Sequence, residues 1–271
     1  DGQALLRATG VPIVTAAGQA LDGSAVVAAK DGGLSFIDIE GHAAGRRFAG
    51  GIDVSADKRV MADIETDSID VRDVVSLAFL PWEGRVDDAG ASFADPTPKG
   101  LAGEVFVRPA LFEAGGAEAL EEVVIGFGFG GDERRLNITS PGEKGVQADV
   151  VLKPRGASYD LSGSLRWPLA LADVAKTAEN TPLISGDVVV QGEFKSTGRG
   201  PAAAAAALEG KGNYWLSNAK FSRLTLDGFG TAALNATTPA ALTSALAQLD
   251  SGAGTAIGQR IGNFTVLNGQ V

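Results

Sequence analysis

The sequence has no cysteine and a single histidine, His42, and these two shortages remove much of the reactive chemistry open to a protein. Without cysteine there can be no disulfides, thiol redox chemistry or cysteine metal sites. A histidine metal site or a histidine-based triad needs partners that this chain does not offer. No Gly-x-Ser-x-Gly segment is present either. We therefore predict no catalytic residue, no metal site and no cofactor, and we interpret His42 as a structural residue at a strand edge or turn.

Positive charge is also scarce. The chain carries 23 Lys and Arg residues against 33 Asp and Glu residues, a net charge of −10. Nucleic-acid binding needs basic residues clustered on one face, whereas those here are scattered, as Lys153, Arg166 and Lys195 illustrate. An acidic surface also disfavours docking on anionic lipid headgroups. We expect no nucleic-acid partner.

Long apolar runs are missing as well. No run approaches the roughly 20 residues that a membrane helix needs, and no signal peptide is visible. The chain begins at Asp1 without Met and ends at Val271 inside an apolar run. These ends predict a piece of a longer protein, and any membrane contact is expected through parts of the parent outside this chain.

What the sequence does have is a succession of short apolar segments separated by turns centred on glycine, which occurs 37 times. Residues 123–129 and 159–167 alternate between apolar and small or polar side chains, which indicates a sheet with one apolar face. Hydrophobic residues make up 45% of the chain and charged residues 21%, as in a globular protein. We predict a mainly β fold of antiparallel curved sheets, forming an elongated open groove or a sandwich, with a few short helices.

The predicted elements fall into three units separated by changes in composition. Residues 1–80 form a first β unit with a short helix, and 81–100 form a Pro/Gly/Asp-rich linker. Residues 101–182 form a second β unit with a short helix, and 183–271 form a third β/helix unit. Hairpin turns are expected at 31–33 and 56–58, and a helix cap at Ser68 or Asp70. The predicted strands are 25–29, 34–39, 51–55, 60–66, 103–107, 111–113, 121–129, 134–139, 146–152, 158–167, 186–194, 213–216, 221–226 and 262–267, and the predicted helices are 68–75, 171–178, 201–209 and 238–250.

Residues 126–131, Gly-Phe-Gly-Phe-Gly-Gly, formally match the dinucleotide pattern G-x-G-x-x-G. That mechanism requires a helix N-terminus directly after the glycines. A charged turn from Asp132 to Arg135 follows instead, so we reject the nucleotide interpretation. Alternating glycines leave one strand face bare, which would allow another chain or a ligand to approach closely.

Pairs of carboxylates could serve a glycosidase or another hydrolytic β enzyme. The candidate pairs are Asp63 with Glu65, Asp87 with Asp88, and Glu121 with Glu122. Asp63 and Glu65 share a strand face with Asp67, which is typical of a solvated stripe. No pair convincingly indicates catalysis, and the hydrolase remains an alternative only.

The C-terminal third resembles a known family. Residues 186–194 form a strand pattern, followed by Ser196–Pro201, an Ala/Leu helix, Leu208-Glu209-Gly210-Lys211-Gly212 and two further strand patterns. This order resembles the C-terminal region of AsmA-like proteins, where a helix of small residues, an L-x-G-x-G segment and two strands recur. Residues 217–220, Ser-Asn-Ala-Lys, depart from the glycine usual in the family's turn. The N-terminal part of AsmA-like proteins is similar to this chain in four short segments, residues 10–13, 21–23, 31–34 and 50–51.

The resemblance implies a function and a location. AsmA-like proteins are anchored in the bacterial inner membrane by an N-terminal helix and lie mostly in the periplasm, where their sheets form an open apolar groove. They are implicated in outer-membrane biogenesis and phospholipid transport. For this chain the resemblance implies a non-enzymatic periplasmic module of an anchored parent, with 183–271 as a truncated AsmA-like C-terminal unit. The implied partners are phospholipid or another acyl lipid, and envelope proteins.

The expected lipid-binding residues are those on the apolar faces of the two alternating segments. They are Val123, Ile125, Phe127, Phe129, Leu161, Leu165 and Trp167. Ordinary core packing predicts the same alternation. The alternative function is therefore a structural or interaction module with a filled β core, whose strand edges pair with partners in outer-membrane assembly. A continuous void between the apolar faces would favour the lipid groove, and interdigitated side chains would favour the filled module.

Overall fold

A computed structural model of the protein describes residues 21–43, 45–80, 86, 90–94, 100–114, 119–142, 145–174, 184–221 and 255–270. Twelve strands form one sheet whose order follows the chain, with β1 and β12 at its two ends. The strands are β1 (Leu21–Lys30), β2 (Gly33–Ala43), β3 (Arg46–Val54), β4 (Arg59–Asp70), β5 (Ala102–Glu113), β6 (Val124–Gly130), β7 (Glu133–Thr139), β8 (Gln147–Arg155), β9 (Ser158–Ala170), β10 (Ile184–Gly198), β11 (Glu209–Phe221) and β12 (Thr255–Val266). The helices in these ranges are α1 (Val71–Phe79), α2 (Leu171–Val174) and α3 (Pro201–Ala206). The prediction of a mainly β fold with short helices is confirmed.

The two predicted hairpin turns are present. Asp31 and Gly32 join β1 to β2 with φ values of 50° and 75°, and positive φ at both central residues matches the twist of the strands they connect. The second turn joins β3 to β4, and its last residue, Lys58, has a φ of 62°. Glycine and aspartate at these positions therefore set the register of the first hairpin.

The connection from β4 to β5 is the one departure from antiparallel order among strands β1 to β9, because these two neighbours run parallel. A parallel neighbour needs a crossover, and α1 begins that crossover directly after β4. The Asp70 carboxylate accepts a hydrogen bond from the backbone N–H of Arg72 at 2.6 Å, which confirms the predicted cap. Aspartate at this position satisfies one of the unpaired N–H groups of the first helical turn.

Strand β5 joins two segments predicted as separate strands, 103–107 and 111–113. Pro109 lies between them, opposite Thr66 of β4, and proline normally interrupts an inner strand because it lacks an N–H. The pairing of β5 with β6 ends at Val107. The missing N–H at Pro109 therefore breaks no bond on that side, and the strand continues.

The C-terminal elements differ from the prediction in extent. The strand predicted at 213–216 is part of the longer β11, and the helix predicted at 201–209 ends at Ala206. The helix predicted at 171–178 is described only over α2. The helix predicted at 238–250, and most of the strand predicted at 221–226, lie outside the described residues.

Apolar side chains line up on one face of the sheet, because paired residues in neighbouring strands share a face. We call this face the core face. One register row crosses nine strands from Val27 to Gly163 through successive pairs. Its members are Val27, Phe36, Ile52, Ala62, Val105, Phe127, Leu136, Val150 and Gly163. The opposite, outer face carries Asp63, Glu65 and Arg108 at its centre.

The chain divides into two compact units, and the division does not coincide with the predicted linker. The first unit comprises residues 1–167, 192–212 and 265–271, and the second comprises 168–191 and 213–264. Residues on both sides of 81–100 belong to the first unit, because β4 and β5 pair directly. Phe93, within the predicted linker, is part of the core of this unit and is only 7% exposed. The second unit has a small core of Leu171, Val188 and Ala219, with partly buried Leu169, Ile184, Val190, Tyr214 and Leu216 around it.

Candidate functional site on the core face

The structure puts the predicted lipid-binding residues into or against a packed core. Val123, Ile125 and Phe127 are 1%, 0% and 6% exposed. The other four pack against the same cluster and are partly buried; they are Phe129, Leu161, Leu165 and Trp167. These seven residues therefore belong to one buried hydrophobic cluster or pack against it, as expected for a filled core.

Trp167 shows how firmly this region is held by the protein itself. Its indole ring packs edge-on against Phe112, with ring centroids 6.1 Å apart. Its Nε1–H donates a hydrogen bond to the carbonyl of Ala114 at 3.3 Å. Buried tryptophan usually finds such a partner, and here both the apolar and the polar part of the side chain are occupied.

Two elements cover the centre of the core face: helix α1 and residues 91–94. Helix α1 contributes Val74, Ala78 and Phe79 to the core. Phe93 contributes its ring, which contacts Tyr159 of β9 edge-on at a centroid distance of 5.6 Å. Together the helix, which contacts β4 and β7, and Phe93, which contacts β9, occupy space that an open groove would leave in front of these strands.

Hydrogen bonds fix residues 91–94 in this position. The N–H of Ala94 donates to the carbonyl of Phe79 at 2.8 Å, and the N–H of Phe93 donates to the carbonyl of Arg199 at 2.9 Å. The Tyr159 hydroxyl donates to the carbonyl of Ala94 at 3.0 Å. The segment is therefore tied to the end of α1, to β9 and to the turn after β10. The sequence predicted a surface linker here, but this segment is an ordered part of the core.

Among the residues that the structure describes, the core face is exposed at its β1–β2 end. Val27 and Leu34 are 53% and 47% exposed, although they lie on the same face as Phe36 and Ile52, which are 5% and 2% exposed. Ala29, which pairs with Leu34, is also exposed. We call Val27, Ala29 and Leu34 the open strip. Sequence reasoning missed it as a site, because residues 25–29 read simply as a strand.

The alternating glycines of β6 lie on the outer face, beside larger side chains of the neighbouring strands. Gly126 lies on the outer face beside Phe106 of β5, and a methyl group added at Gly126 would lie 3.5 Å from Phe106 Cε1. A methyl group at Gly128 would lie 3.5 Å from the Cβ of Arg135. An added methyl group would therefore make ordinary van der Waals contact at both positions, so the glycines leave room for a group of that size on the outer face.

A shallow pocket lies beside the covered part of the core face. Ala94, Leu152, Pro154 and Tyr159 line it, together with residues 132–134, and its cavity volume is about 10 Å³. Sites for small organic ligands usually enclose about 300–1,000 Å³. The pocket is too small to serve as such a site.

The charged residues of the outer face pair with one another. Asp63, a candidate acid in the sequence, accepts a hydrogen bond from Arg108, and this contact raises the pKa of Arg108 above its ordinary value. Asp67 accepts a hydrogen bond from the backbone N–H of Arg47 at 3.2 Å. These carboxylates therefore form the solvated stripe that the sequence indicates.

Other candidates for chemistry are also exposed. His42 Nδ1 lies 3.1 Å from an oxygen of Asp22 across the β1–β2 pair, and both side chains are more than half exposed. Glu121 and Glu122 are exposed too, and Asp87 and Asp88 lie outside the described residues. Within the described ranges, no group of three His, Asp or Glu side chains lies close enough to hold a metal ion.

No family model, curated protein or solved structure matches this chain. In the part of the chain that the structure describes, no helix is both long and apolar enough to cross a membrane. The resemblance to AsmA-like proteins thus rests on the sequence patterns given above.

Proposed function

We propose that the chain is a non-enzymatic lipid-handling module of an AsmA-like envelope protein, and that acyl chains bind at the open strip. The exposure of Val27 and Leu34 carries this proposal, because both side chains belong to the apolar core face and meet solvent. The expected setting is the periplasm, with a parent anchored in the inner membrane and a role in outer-membrane biogenesis.

The chemistry of the open strip suits an acyl chain. Burying a methylene group stabilises a complex by about 0.8 kcal/mol and needs no directional partner. Val27 and Leu34 offer branched apolar side chains on the same face as the buried Phe36, which pairs with Val27. Residues two apart on a strand lie roughly 6.5–7 Å apart, so Val27 and Ala29 present a strip suited to one acyl chain and leave the headgroup in water.

The covered centre of the core face supports a second candidate function, the filled interaction module. Val123, Ile125 and Phe127 are almost completely buried, so an acyl chain could reach them only if α1 or residues 91–94 moved away. On this alternative the chain binds no lipid and acts through its surfaces and strand edges.

Uptake of a zwitterionic phospholipid with a fluorescent acyl chain tests the proposal, because the acidic surface disfavours anionic headgroups. The purified 271-residue chain is compared with Val27→Asp and Leu34→Asp. The matched control is Met61→Asp, which changes an apolar residue of β4 that is 58% exposed and lies on the outer face opposite Asp53.

We expect each open-strip variant to weaken lipid uptake by about tenfold or more, because a carboxylate in contact with an acyl chain costs several kcal/mol to desolvate. Met61→Asp should bind as the unchanged chain does. Thermal unfolding of all variants checks that the fold persists. Absence of uptake by the unchanged chain, or equal losses in all three variants, would reject the open strip and favour the filled module.

A further inference from the structure

Strand β1 has a free hydrogen-bonding edge in the described part of the chain, where its pairing is with β2 alone. Natural proteins usually protect such an edge with lysine, proline or a bulge. From Gly23 to Ala29 the strand carries no charge and no proline. All seven residues are exposed, Val26 and Val27 each at 53%.

The irregularity of the first hairpin lies in β2, and β1 itself is regular. The register passes from Ser24↔Glu40 to Val26↔Ile37, so β2 contains one residue more than β1 over this step. Asp38 has a φ of 52° and lies in the part of β2 that contains the extra residue. The extra residue of the first hairpin therefore lies in β2 and not in β1, the strand with the free edge.

We propose that β1 pairs antiparallel with β1 of a second copy of this chain, about a two-fold axis at Val26. In that register Gly23 faces Ala29, Ser24 faces Ala28, and Val26 faces itself. In an antiparallel pair, two residues opposite each other either both direct their N–H and C=O groups toward the partner strand or both direct them away. These directions alternate along a strand, so opposite residues of two identical strands must be an even number of positions apart in sequence. Every pair in the proposed register meets this condition. An interface of this kind is isologous and closes after two copies.

Charge complementarity favours a second copy over another partner. The two charged residues of the strand, Asp22 and Lys30, lie at equal distances in sequence from Val26. Across the proposed axis, Asp22 of each copy stands opposite the register position of Lys30 of the other. Asp22 is 74% exposed, with His42 as its neighbour, and opposite charges directly across an antiparallel pair are stabilising.

This inference does not depend on lipid binding, because it uses the backbone edge of β1 and not the open strip. The first test is the mass of the chain in solution at about 100 µM, a concentration suited to weak contacts. We expect a species of twice the 27.5 kDa of one chain. Val26→Lys places like charges opposite each other at the axis and should raise the dissociation constant by about fivefold or more.

The matched control is Ile37→Lys, which lies beside Val26 on the same face but on β2, away from the edge; it should dimerise normally. A charge swap adds a rescue: Asp22→Lys should weaken the dimer, and the double change with Lys30→Asp should restore it. Because the chain has no cysteine, Val26→Cys should form a disulfide between copies on oxidation, since paired Cα atoms lie about 4.5–5.5 Å apart. A monomer throughout, or a dimer unaffected by Val26→Lys and the charge swap, would overturn the proposal.

Discussion

Phe93 is the side chain whose removal most directly probes the covering of the core face. It is 7% exposed and lies edge-on against Tyr159 at 5.6 Å. Truncating a buried phenylalanine to alanine typically costs 3–5 kcal/mol through lost transfer energy and the remaining cavity. For Phe93→Ala we expect a loss of about 3–4 kcal/mol in the free energy of unfolding, including the 0.5–1.5 kcal/mol typical of an aromatic pair.

Urea denaturation followed by circular dichroism measures this loss. The transition midpoint should fall while its slope stays the same, because the surface exposed on unfolding hardly changes. Tyr159→Phe is the matched control, since it keeps the ring contact and removes only the hydroxyl that donates to the Ala94 carbonyl at 3.0 Å. One hydrogen bond of this kind is worth about 1 kcal/mol.

A loss of less than about 1 kcal/mol for Phe93→Ala would refute the reasoning, because so small a cost is typical of surface substitutions. It would mean that residues 91–94 do not seal the core face and that the space in front of β4 to β9 is accessible. A double variant with both changes should lose less than the sum of the single losses, since contacting residues are energetically coupled.

Two further predictions concern the sheet. Gly50 has a φ of 153°, and a Cβ there would lie 2.0 Å from the Asp63 carbonyl oxygen. Gly50→Ala should therefore lower the free energy of unfolding by roughly 2–3 kcal/mol. Gly51→Ala is the control: its Cβ would meet only the Phe36 carbonyl at 3.4 Å, so it should cost much less in the same denaturation assay. The Thr197 hydroxyl and Arg155 both donate to Asp160, and these contacts lower the pKa of Asp160. A lowered pKa stabilises the fold above the ordinary pKa near 3.8, and this contribution is lost as pH falls through the lower, folded value. Asp160→Asn should therefore flatten the acid limb of stability measured between about pH 5 and pH 2; an unchanged limb would contradict the assignment.

The sequence was sufficient to predict those features that depend on neighbouring residues. The turn at Asp31–Gly32 follows from two residues that tolerate positive φ, and the cap of α1 follows from an aspartate before an apolar helix pattern. Alternation correctly identified Val123, Ile125 and Phe127 as members of one apolar face. These predictions needed no information on what lies across that face.

Long-range features could not be predicted in the same way. Residues 81–100 separate β4 from β5 in the sequence, and their prolines, glycines and acidic residues are typical of a linker. The parallel pairing of the two strands could therefore not be predicted from the sequence. Phe93 is a single apolar residue in that segment, and nothing local indicates that it lies in a core. For the same reason the sequence could not distinguish the covered centre of the core face from the open strip, because both are apolar strand segments and neither indicates what lies in front of it.

The central claim is that acyl chains contact the β1–β2 end of the core face and not its filled centre. A phospholipid with a photoactivatable group on its acyl chain tests this most directly, with cross-linked peptides identified by mass spectrometry. The account predicts cross-links to β1 and β2, above all at Val27 and Leu34. Cross-links concentrated at Ile125 and Phe127 of β6 would contradict it, because they would require α1 and residues 91–94 to leave the core face.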